Sequence, residues 1–281
     1  MFQASWDGYK IQVTRLIEEQ GVDVNEFCEH PTDDEFRSAA LKNAAKRGQL
    51  ELVKQLVLQQ CADVNKGNVN LWTPLMQACQ EGHVEIVHFL IEHGANVNLC
   101  TIFHHTALMA NAWAGNSTIT NLLVKTSSKA QEDWMALHFA ATYGHADVAM
   151  CLIQHGAEIN IKECDRFTPL LLTISDNHVT AADVLLEHRA DPNIPKSSEL
   201  YPLHVAVSKG YSHLATAVIN GGADINAKDL KGRTALMVAA ETGNTVCSIV
   251  LLRKGANINA CDSHGRTTLM AAVLNSRLEA V

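Results

Sequence analysis

An asparagine recurs along this chain at a fixed interval. The interval is 33 residues between Asn65 and Asn98, and again between successive members of the series Asn160, Asn193, Asn226 and Asn259. A glycine recurs in the middle of the same units, and Asn177 takes its place once; the glycines are Gly82, Gly115, Gly144, Gly210 and Gly243. A period of this length is typical of a fold in which one small unit stacks on the next.

The stretch from Thr73 to Asn98 shows what each unit contains. Thr73 can cap a helix, and Pro74 can occupy its first position, where no hydrogen-bond donor is lost. Gly82 and Gly94 predict left-handed ends for two short helices. Antiparallel helices joined by so short a turn pack on each other, but one pair cannot bury its own apolar face. Stability must therefore come from stacking between neighbouring units.

These patterns resemble the ankyrin repeat family over nearly the whole chain. The matching segments are Thr73-Pro74-Leu75, Thr168-Pro169-Leu170, Tyr201-Pro202-Leu203-His204, Ala136-Leu137-His138, and the closing segments Gly94-Ala95-Asn96-Val97-Asn98 and Gly255-Ala256-Asn257-Ile258-Asn259. The resemblance implies an all-α solenoid of helix-turn-helix units with short β-hairpin fingers. It also implies that His138 and His204 tie adjacent units together.

We expect a single ankyrin-repeat domain over residues 1–281, with about eight and a half units. The units are expected at residues 1–25, 39–65, 69–98, 102–130, 131–160, 164–193, 197–226, 230–259 and, incompletely, 263–281. Residues 26–38 are predicted to form an acidic insertion loop.

Two irregularities interrupt this regular series. The usual closing sequence is replaced by Lys125 to Lys129, where the period shortens by four residues, so we expect an altered twist or a local gap in the stack. The last unit stops one turn into its second helix, so we expect the chain to be truncated at its C-terminus.

Composition excludes several classes of function. The net charge of −8 argues against a broad nucleic-acid surface. No apolar run approaches the ~18 residues of a membrane helix, and the N-terminus does not read as a signal peptide. The eight cysteines form no C-x-x-C pair, which fits free thiols in a reducing compartment. We therefore expect an intracellular protein that is monomeric. The cytoplasm is the expected compartment, and the nucleus is the alternative.

The sequence carries no signature of an enzyme or of a metal site. Motifs for a nucleophilic serine, a phosphate-binding loop, a zinc protease and a dinucleotide site are all absent. Most of the 14 histidines are explained by repeat register, and none of them has ligands at metal-binding spacing. We therefore predict no catalytic, cofactor-binding or metal-binding residues.

The placement of aromatic residues gives a sharper signal. In the ankyrin-like register, finger residues and the two residues before the mid-unit glycine face a partner, and all four tryptophans occur at such positions. One interpretation is that these rings pack against a neighbouring finger, which we favour for Trp134 and Phe167. The other is that they line a groove for a peptide. The candidate partner-binding residues are Trp72, Ile102, Phe103, Trp113, Trp134, Tyr143 and Phe167.

Later units carry a mildly basic strip at the same variable positions. Its members include Lys209, Lys231, Arg233 and Arg266. A solvated surface is the simpler interpretation, and a site for an acidic segment beside the main peptide is the alternative.

Together these patterns predict a protein–protein interaction scaffold that binds a peptide or domain of a partner on its concave and finger surface. One rival is a regulatory or substrate-recognition arm of a larger protein, such as a ubiquitin-ligase adaptor or a channel. A second rival is an autonomous enzyme or metal protein. The resemblance alone also raises hydroxylation of Asn98, although Asn96 stands where an acidic residue is usual.

Overall fold

The computed structural model describes residues 40–59, 62–127, 134–163, 166–196 and 200–274. The predicted unit at residues 1–25 and the acidic loop at residues 26–38 lie outside the described residues. The predicted all-α fold is confirmed, since the described part of the chain contains fifteen helices and no named strand. These helices belong to two compact units, which divide between Ala136 and Leu137.

The described part of the first unit contains three helix pairs. They are α1 (Ala40–Lys46) with α2 (Leu50–Leu58), α3 (Pro74–Glu81) with α4 (Val84–Glu92), and α5 (Ala107–Ala114) with α6 (Ser117–Thr126). Within each pair the two helices pack on each other, and α1, α3 and α5 also pack side by side. Buried leucines such as Leu41, Leu75 and Leu108 lie on these inner helices. Each buried leucine contributes about 1.5–3 kcal/mol of transfer free energy.

The second unit repeats this arrangement, with α7 beginning just before the boundary. Its helices are α7 (Trp134–Thr142), α8 (Ala146–Gln154), α9 (Pro169–Ser175), α10 (Val179–Glu187), α11 (Pro202–Ser208), α12 (Ser212–Asn220), α13 (Ala235–Thr242), α14 (Thr245–Arg253) and α15 (Thr268–Leu274). The boundary lies close to the shortened period predicted at residues 125–129. The predicted gap or altered twist stays a prediction, because residues 128–133 lie outside the described residues.

The predicted helix signals are confirmed where the structure describes them. Thr73, Thr168 and Thr234 each cap a helix by accepting a hydrogen bond from the backbone N–H three residues later. Gly82 ends α3 in the left-handed conformation, with a φ of 77°. Asn177 takes the same conformation at the position where the glycine is missing, with a φ of 62°. An asparagine tolerates this region better than most residues do.

The periodic asparagine is a structural link between successive repeats. The Asn193 side chain accepts a hydrogen bond from the N–H of Asp224 at 2.8 Å and donates one to the carbonyl of Gly222 at 3.0 Å. Asn65 makes the same two bonds to the next closing loop. After Asn98 the usual closing sequence is replaced in the chain, and the hydroxyl of Ser127 donates a hydrogen bond to Oδ1 of Asn98 at 2.8 Å.

Buried histidines make a second set of links, as the resemblance implied. Nε2 of His204 lies 3.0 Å from the carbonyl oxygen of Arg233, and Nε2 of His138 lies 3.1 Å from that of Phe167. A carbonyl only accepts hydrogen bonds, so each Nε2 carries a proton. His204 is fully buried, and its Nδ1 has no partner among the described residues. Burial lowers the pKa of His204 and outweighs the opposing effects of the Arg233 carbonyl and the Asp229 charge.

This lowered pKa predicts a loss of stability in mild acid. Above about pH 6.5, the ordinary pKa of histidine, His204 is neutral in both states and its full contribution is present. As the pH falls below that value, the unfolded chain binds the proton first, so the free energy of unfolding decreases. Urea denaturation from pH 7.5 to pH 5 should therefore show the wild type losing its advantage over His204→Gln. The other histidines are the same in both proteins, so a difference that is independent of pH would contradict this role.

Candidate functional site

Two finger loops of the second unit share one geometry. In the finger that follows Asn226, Oδ1 of Asp229 accepts hydrogen bonds from the backbone N–H groups of Lys231 and Arg233, at 2.9 and 2.8 Å. Gly232 lies between these two residues in the left-handed conformation, with a φ of 72°. The next finger repeats the arrangement with Asp262 and Gly265. A glycine adopts this backbone conformation without steric penalty.

The predicted β-hairpin character of the fingers is limited to isolated bridges. Antiparallel bridges join Cys100 to Thr106 and Cys261 to Thr267. Other fingers close through two backbone hydrogen bonds, as from the N–H of Asn68 to the carbonyl of Trp72 and from the N–H of Leu71 to the carbonyl of Asn68. Each finger is therefore a tight loop whose tip projects its side chains outward.

Two fingers of the first unit keep this geometry but change its chemistry. We call residues 66–72 finger A and residues 99–105 finger B. Asn68 in finger A and Thr101 in finger B accept the backbone hydrogen bonds that aspartates accept in the second unit. Leu71 and His104 replace the glycine, with φ values of 60° and 61°. A non-glycine residue pays about 1–2 kcal/mol for this conformation, so both loops are strained.

Both strained fingers expose large apolar side chains. Val69, Leu71, Ile102 and Phe103 are between 49% and 66% exposed, and we call these four residues the apolar finger surface. The two fingers are joined by a hydrogen bond from the N–H of Ile102 to the carbonyl of Asn70, at 3.2 Å. Residues 67–72 and 99–103 contain no charged residue. The first unit thus presents an uncharged, apolar surface on two adjacent loops.

Two tryptophans of the first unit, Trp72 and Trp113, lie at different depths. Trp113 is 46% exposed near the end of α5. The same register position on α3 is Gln80, which accepts a hydrogen bond from the side chain of Gln77. Trp72 is half-buried beside finger A, and its buried Nε1 has no hydrogen-bond partner among the described residues.

The aromatic candidates of the second unit also differ from one another. Tyr143 is exposed and stacks on His145, with ring centroids 6.4 Å apart. Phe167 is half-buried, and Nζ of Lys196 lies 3.8 Å from its ring centroid. The side chain of Trp134 lies outside the described residues.

The predicted basic strip is largely neutralised by its own neighbours. Arg233 contacts Oδ2 of Asp229 and Oε2 of Glu241, both at 2.7 Å. Burial raises the pKa of Asp229, but hydrogen bonds and charge from Arg233 outweigh it and hold the pKa below its usual range. Arg266 contacts Oδ2 of Asp262 at 2.7 Å in the same manner.

The two lysines of the strip differ from each other. Nζ of Lys209 donates to the carbonyl of Ser175 at 2.7 Å, whereas Lys231 is exposed at a finger tip. Of the four residues, Lys231 is therefore the one whose charge is best placed to meet a partner.

A family model described as ankyrin repeats (three copies) matches residues 1–101, 41–133, 108–196 and 203–281. These matches cover nearly the whole chain. The chain belongs to the ankyrin repeat family.

Individual ankyrin proteins match shorter parts of the chain. The human ankyrin repeat and SAM domain-containing protein 3 is 49% identical over 61 residues, which are 22% of this chain and 9% of that protein. An ankyrin repeat and KH domain-containing protein of Caenorhabditis briggsae is 32% identical over 158 residues, or 55% of this chain and 6% of that protein. The chain thus spans only a small part of the length of these curated relatives.

A solved ankyrin structure resembles the chain more broadly. The ankyrin repeat domain of human ASB11 superposes with a TM-score of 0.70 at 27% identity, over 77% of this chain and 98% of that domain. This agreement supports the ankyrin fold described above.

The described residues carry neither a metal site nor a membrane-spanning helix. No group of three or more His, Cys, Asp or Glu side chains there could hold a metal ion, and no described helix is long and apolar enough to cross a membrane. The described cysteines are free thiols, and burial raises the pKa of Cys79 and Cys247. Such thiols are poor nucleophiles.

Sequence reasoning missed two members of the apolar finger surface, Val69 and Leu71. The sequence signal that could have found them is the alignment of the finger positions with one another. Leu71 is aligned with Gly232 and Gly265, so an apolar residue stands where other ankyrin fingers of this chain place glycine. A residue that costs stability at such a position is a candidate for function.

The strained backbone at Leu71 gives a testable prediction. Leu71→Gly removes the left-handed penalty but adds glycine's entropy cost, so we expect a net gain of about 0.5–1 kcal/mol in the free energy of unfolding. Gly265→Ala is the matched control, because its φ is 75° and an added Cβ meets nothing within 4 Å. That change should cost about 1 kcal/mol. Urea denaturation measures both, and a clear loss of stability in Leu71→Gly would contradict the strain.

Proposed function

We propose that this ankyrin-repeat protein is a recognition module whose first unit binds a segment of a partner protein through the apolar finger surface. The observation that carries this proposal is the exposure of Val69, Leu71, Ile102 and Phe103 on two adjacent stretches, residues 67–72 and 99–103, that contain no charged residue. Adjacent exposed apolar side chains mark interaction sites. Ankyrin repeats in general bind other proteins, and no catalytic family is indicated by the comparisons.

The strain in the fingers supports the same conclusion. Leu71 and His104 hold a conformation that glycine would adopt more cheaply, and Leu71 is exposed where it gains little from burial. Binding of a partner would offset the conformational cost at Leu71, because covering apolar surface contributes about 25 cal/mol per Å². The partner segment should therefore be apolar, and its affinity should depend little on salt.

Trp113 is proposed as a further contact of the first unit, since an exposed tryptophan beside an interface is a frequent hot spot. Trp72, which is half-buried beside finger A, is proposed to contact the partner through the exposed part of its ring. Tyr143 is proposed as a separate contact of the second unit, where Phe167 remains a candidate, and Trp134 remains a candidate just before the boundary between the units. Lys231, together with the paired cations Lys209, Arg233 and Arg266, is proposed as a minor contact for acidic groups.

Substitutions in finger B test the main proposal. Ile102→Ser with Phe103→Ser should abolish capture of the partner while leaving helical content and melting nearly unchanged, because both side chains are exposed. The matched control is Leu230→Ser, which removes an equally exposed side chain from a finger of the second unit. Quantitative mass spectrometry of proteins captured by the wild type and both variants, at about 50 and 300 mM salt, makes the comparison.

A supporting result is a protein that is retained by the wild type and by Leu230→Ser at both salt concentrations but is lost with the finger B variant. Equal retention by all three chains would contradict the proposal. Loss of the folded state in the finger B variant would also contradict it, because the two side chains would then belong to the core.

A second candidate function is recognition within a larger protein. It is favoured by the relatives, whose names include SAM and KH domains and of which this chain spans 9% and 6%. In that case the apolar finger surface would select what a further domain acts on. An antibody against this chain should then detect a native protein much larger than 281 residues. Detection of a 281-residue protein alone would contradict this candidate.

We also propose an intracellular setting. Five described cysteines are free thiols, two of them exposed. Exposed thiols persist more readily in a reducing compartment.

A further inference from the structure

A groove runs between two neighbouring outer helices of the second unit. It lies between α10 and α12 and encloses about 510 Å³. Its apolar part is formed by Val179 and Leu186 on α10 and by Ala217 on α12. At one end, Gly221 allows close approach, since a Cβ at this position would lie 2.7 Å from Cδ2 of Leu186. The shape of the groove is therefore set by the packing of α10 against α12.

The rim of this groove carries unpaired negative charge. Asp183 and Glu187 line it from α10, four residues apart, and both are exposed. Neither carboxylate has an ion pair or a hydrogen bond with any residue in the described part of the chain. Residues at this spacing lie on the same face of a helix, one turn apart. Two like charges at this spacing repel each other unless a cation lies between or above them.

A comparable groove in the first unit provides an internal contrast. It lies between α2 and α4, encloses about 530 Å³, and has both Lys54 and Glu92 in its lining. Lys54 pairs with Glu51 at 3.1 Å, and His88 lies 3.1 Å from Glu92. Charge of both signs is present there and is partly paired. The lining of the groove between α10 and α12 also includes His213, Thr216 and Asn220, but it contains no lysine or arginine, and its two carboxylates have no partner in the described part of the chain.

We propose that the groove between α10 and α12 binds a cationic amphipathic helix of a partner protein. The nine residues of α10 extend over about 13.5 Å, which matches two to three turns of a helix laid alongside it. Aliphatic side chains of that helix would cover Val179 and Leu186. Lysine or arginine side chains one turn apart would meet Asp183 and Glu187. This is helix-in-groove recognition with complementary charge, and it is independent of the apolar finger surface.

A synthetic helix tests the proposal directly. The probe is a fluorescein-labelled 16-residue peptide with four lysines along one face and leucines beside them, and its binding to the full chain is followed by anisotropy at pH 7.5. The wild type should bind the peptide, and affinity should fall steeply with salt. Asp183→Asn with Glu187→Gln should weaken binding about tenfold, without a change in melting because both side chains are exposed.

Two controls separate this site from general attraction to an acidic chain. Asp147→Asn with Glu158→Gln makes the same charge change at exposed positions of this unit outside the groove, and should alter affinity less than about twofold. A scrambled peptide of the same composition should bind much more weakly. Equal binding of the scrambled peptide, or an equal loss with the control variant, would overturn the proposal. The finger B variant should bind the probe with the same affinity as the wild type. The proposals for the groove and for the apolar finger surface are therefore tested independently.

Discussion

The fold depends on the fact that one pair of short helices cannot bury its own apolar face. Each repeat must therefore be joined to the next, and the joints are made by side chains at fixed positions. Asn193 illustrates this, since both ends of its amide bond to the following closing loop. The ring of His204 reaches the next finger in the same direction. Because these contacts span about one repeat length, they impose the 33-residue period directly on the sequence, and insertions are tolerated mainly in the loops between them.

Much of this framework could be predicted, because it rests on local chemistry. Threonine caps, a proline at the first helical position and left-handed glycines act within a few residues. The roles of Thr73, Pro74 and Gly82 can therefore be predicted from the sequence alone. Departures from the pattern were harder to predict. The hydroxyl of Ser127 replaces the missing partner of Asn98, which depends on two segments 29 residues apart. The pairing of Arg233 with Asp229 and Glu241 was missed for a similar reason. A count of cations along the chain does not reveal which carboxylate the fold brings to each one.

The candidate site could be located by sequence only in part. Aromatic placement predicted Ile102, Phe103 and Trp113, all of which are exposed. It gave too much weight to ring type, however, and overlooked Val69 and Leu71, because aliphatic residues in a loop seem ordinary. What marks Leu71 is an exposed apolar side chain on a left-handed backbone, a conformation that Gly232 and Gly265 hold in the second unit and that His104 and Arg166 also adopt. That conformation is visible only once the fingers are aligned as loops of equal geometry. Strain and exposure at one residue are together a stronger indication of function than either alone.

The two units use charge in opposite ways, and this difference decides which surfaces can recognise a partner. In two fingers of the second unit, Arg233 and Arg266 are each held by a carboxylate of their own repeat, so these two charges are already paired within the protein. In the fingers of the first unit, charge is removed and apolar side chains take its place. On the outer helices of the second unit, Asp183 and Glu187 keep their charge without a partner among the described residues. A satisfied charge stabilises the repeat that contains it, whereas an unpaired charge beside an apolar floor gains most from a ligand. Recognition in this ankyrin-repeat protein should therefore be sought where the repeat leaves side chains unsatisfied, either through exposed apolar surface or through unpaired carboxylates.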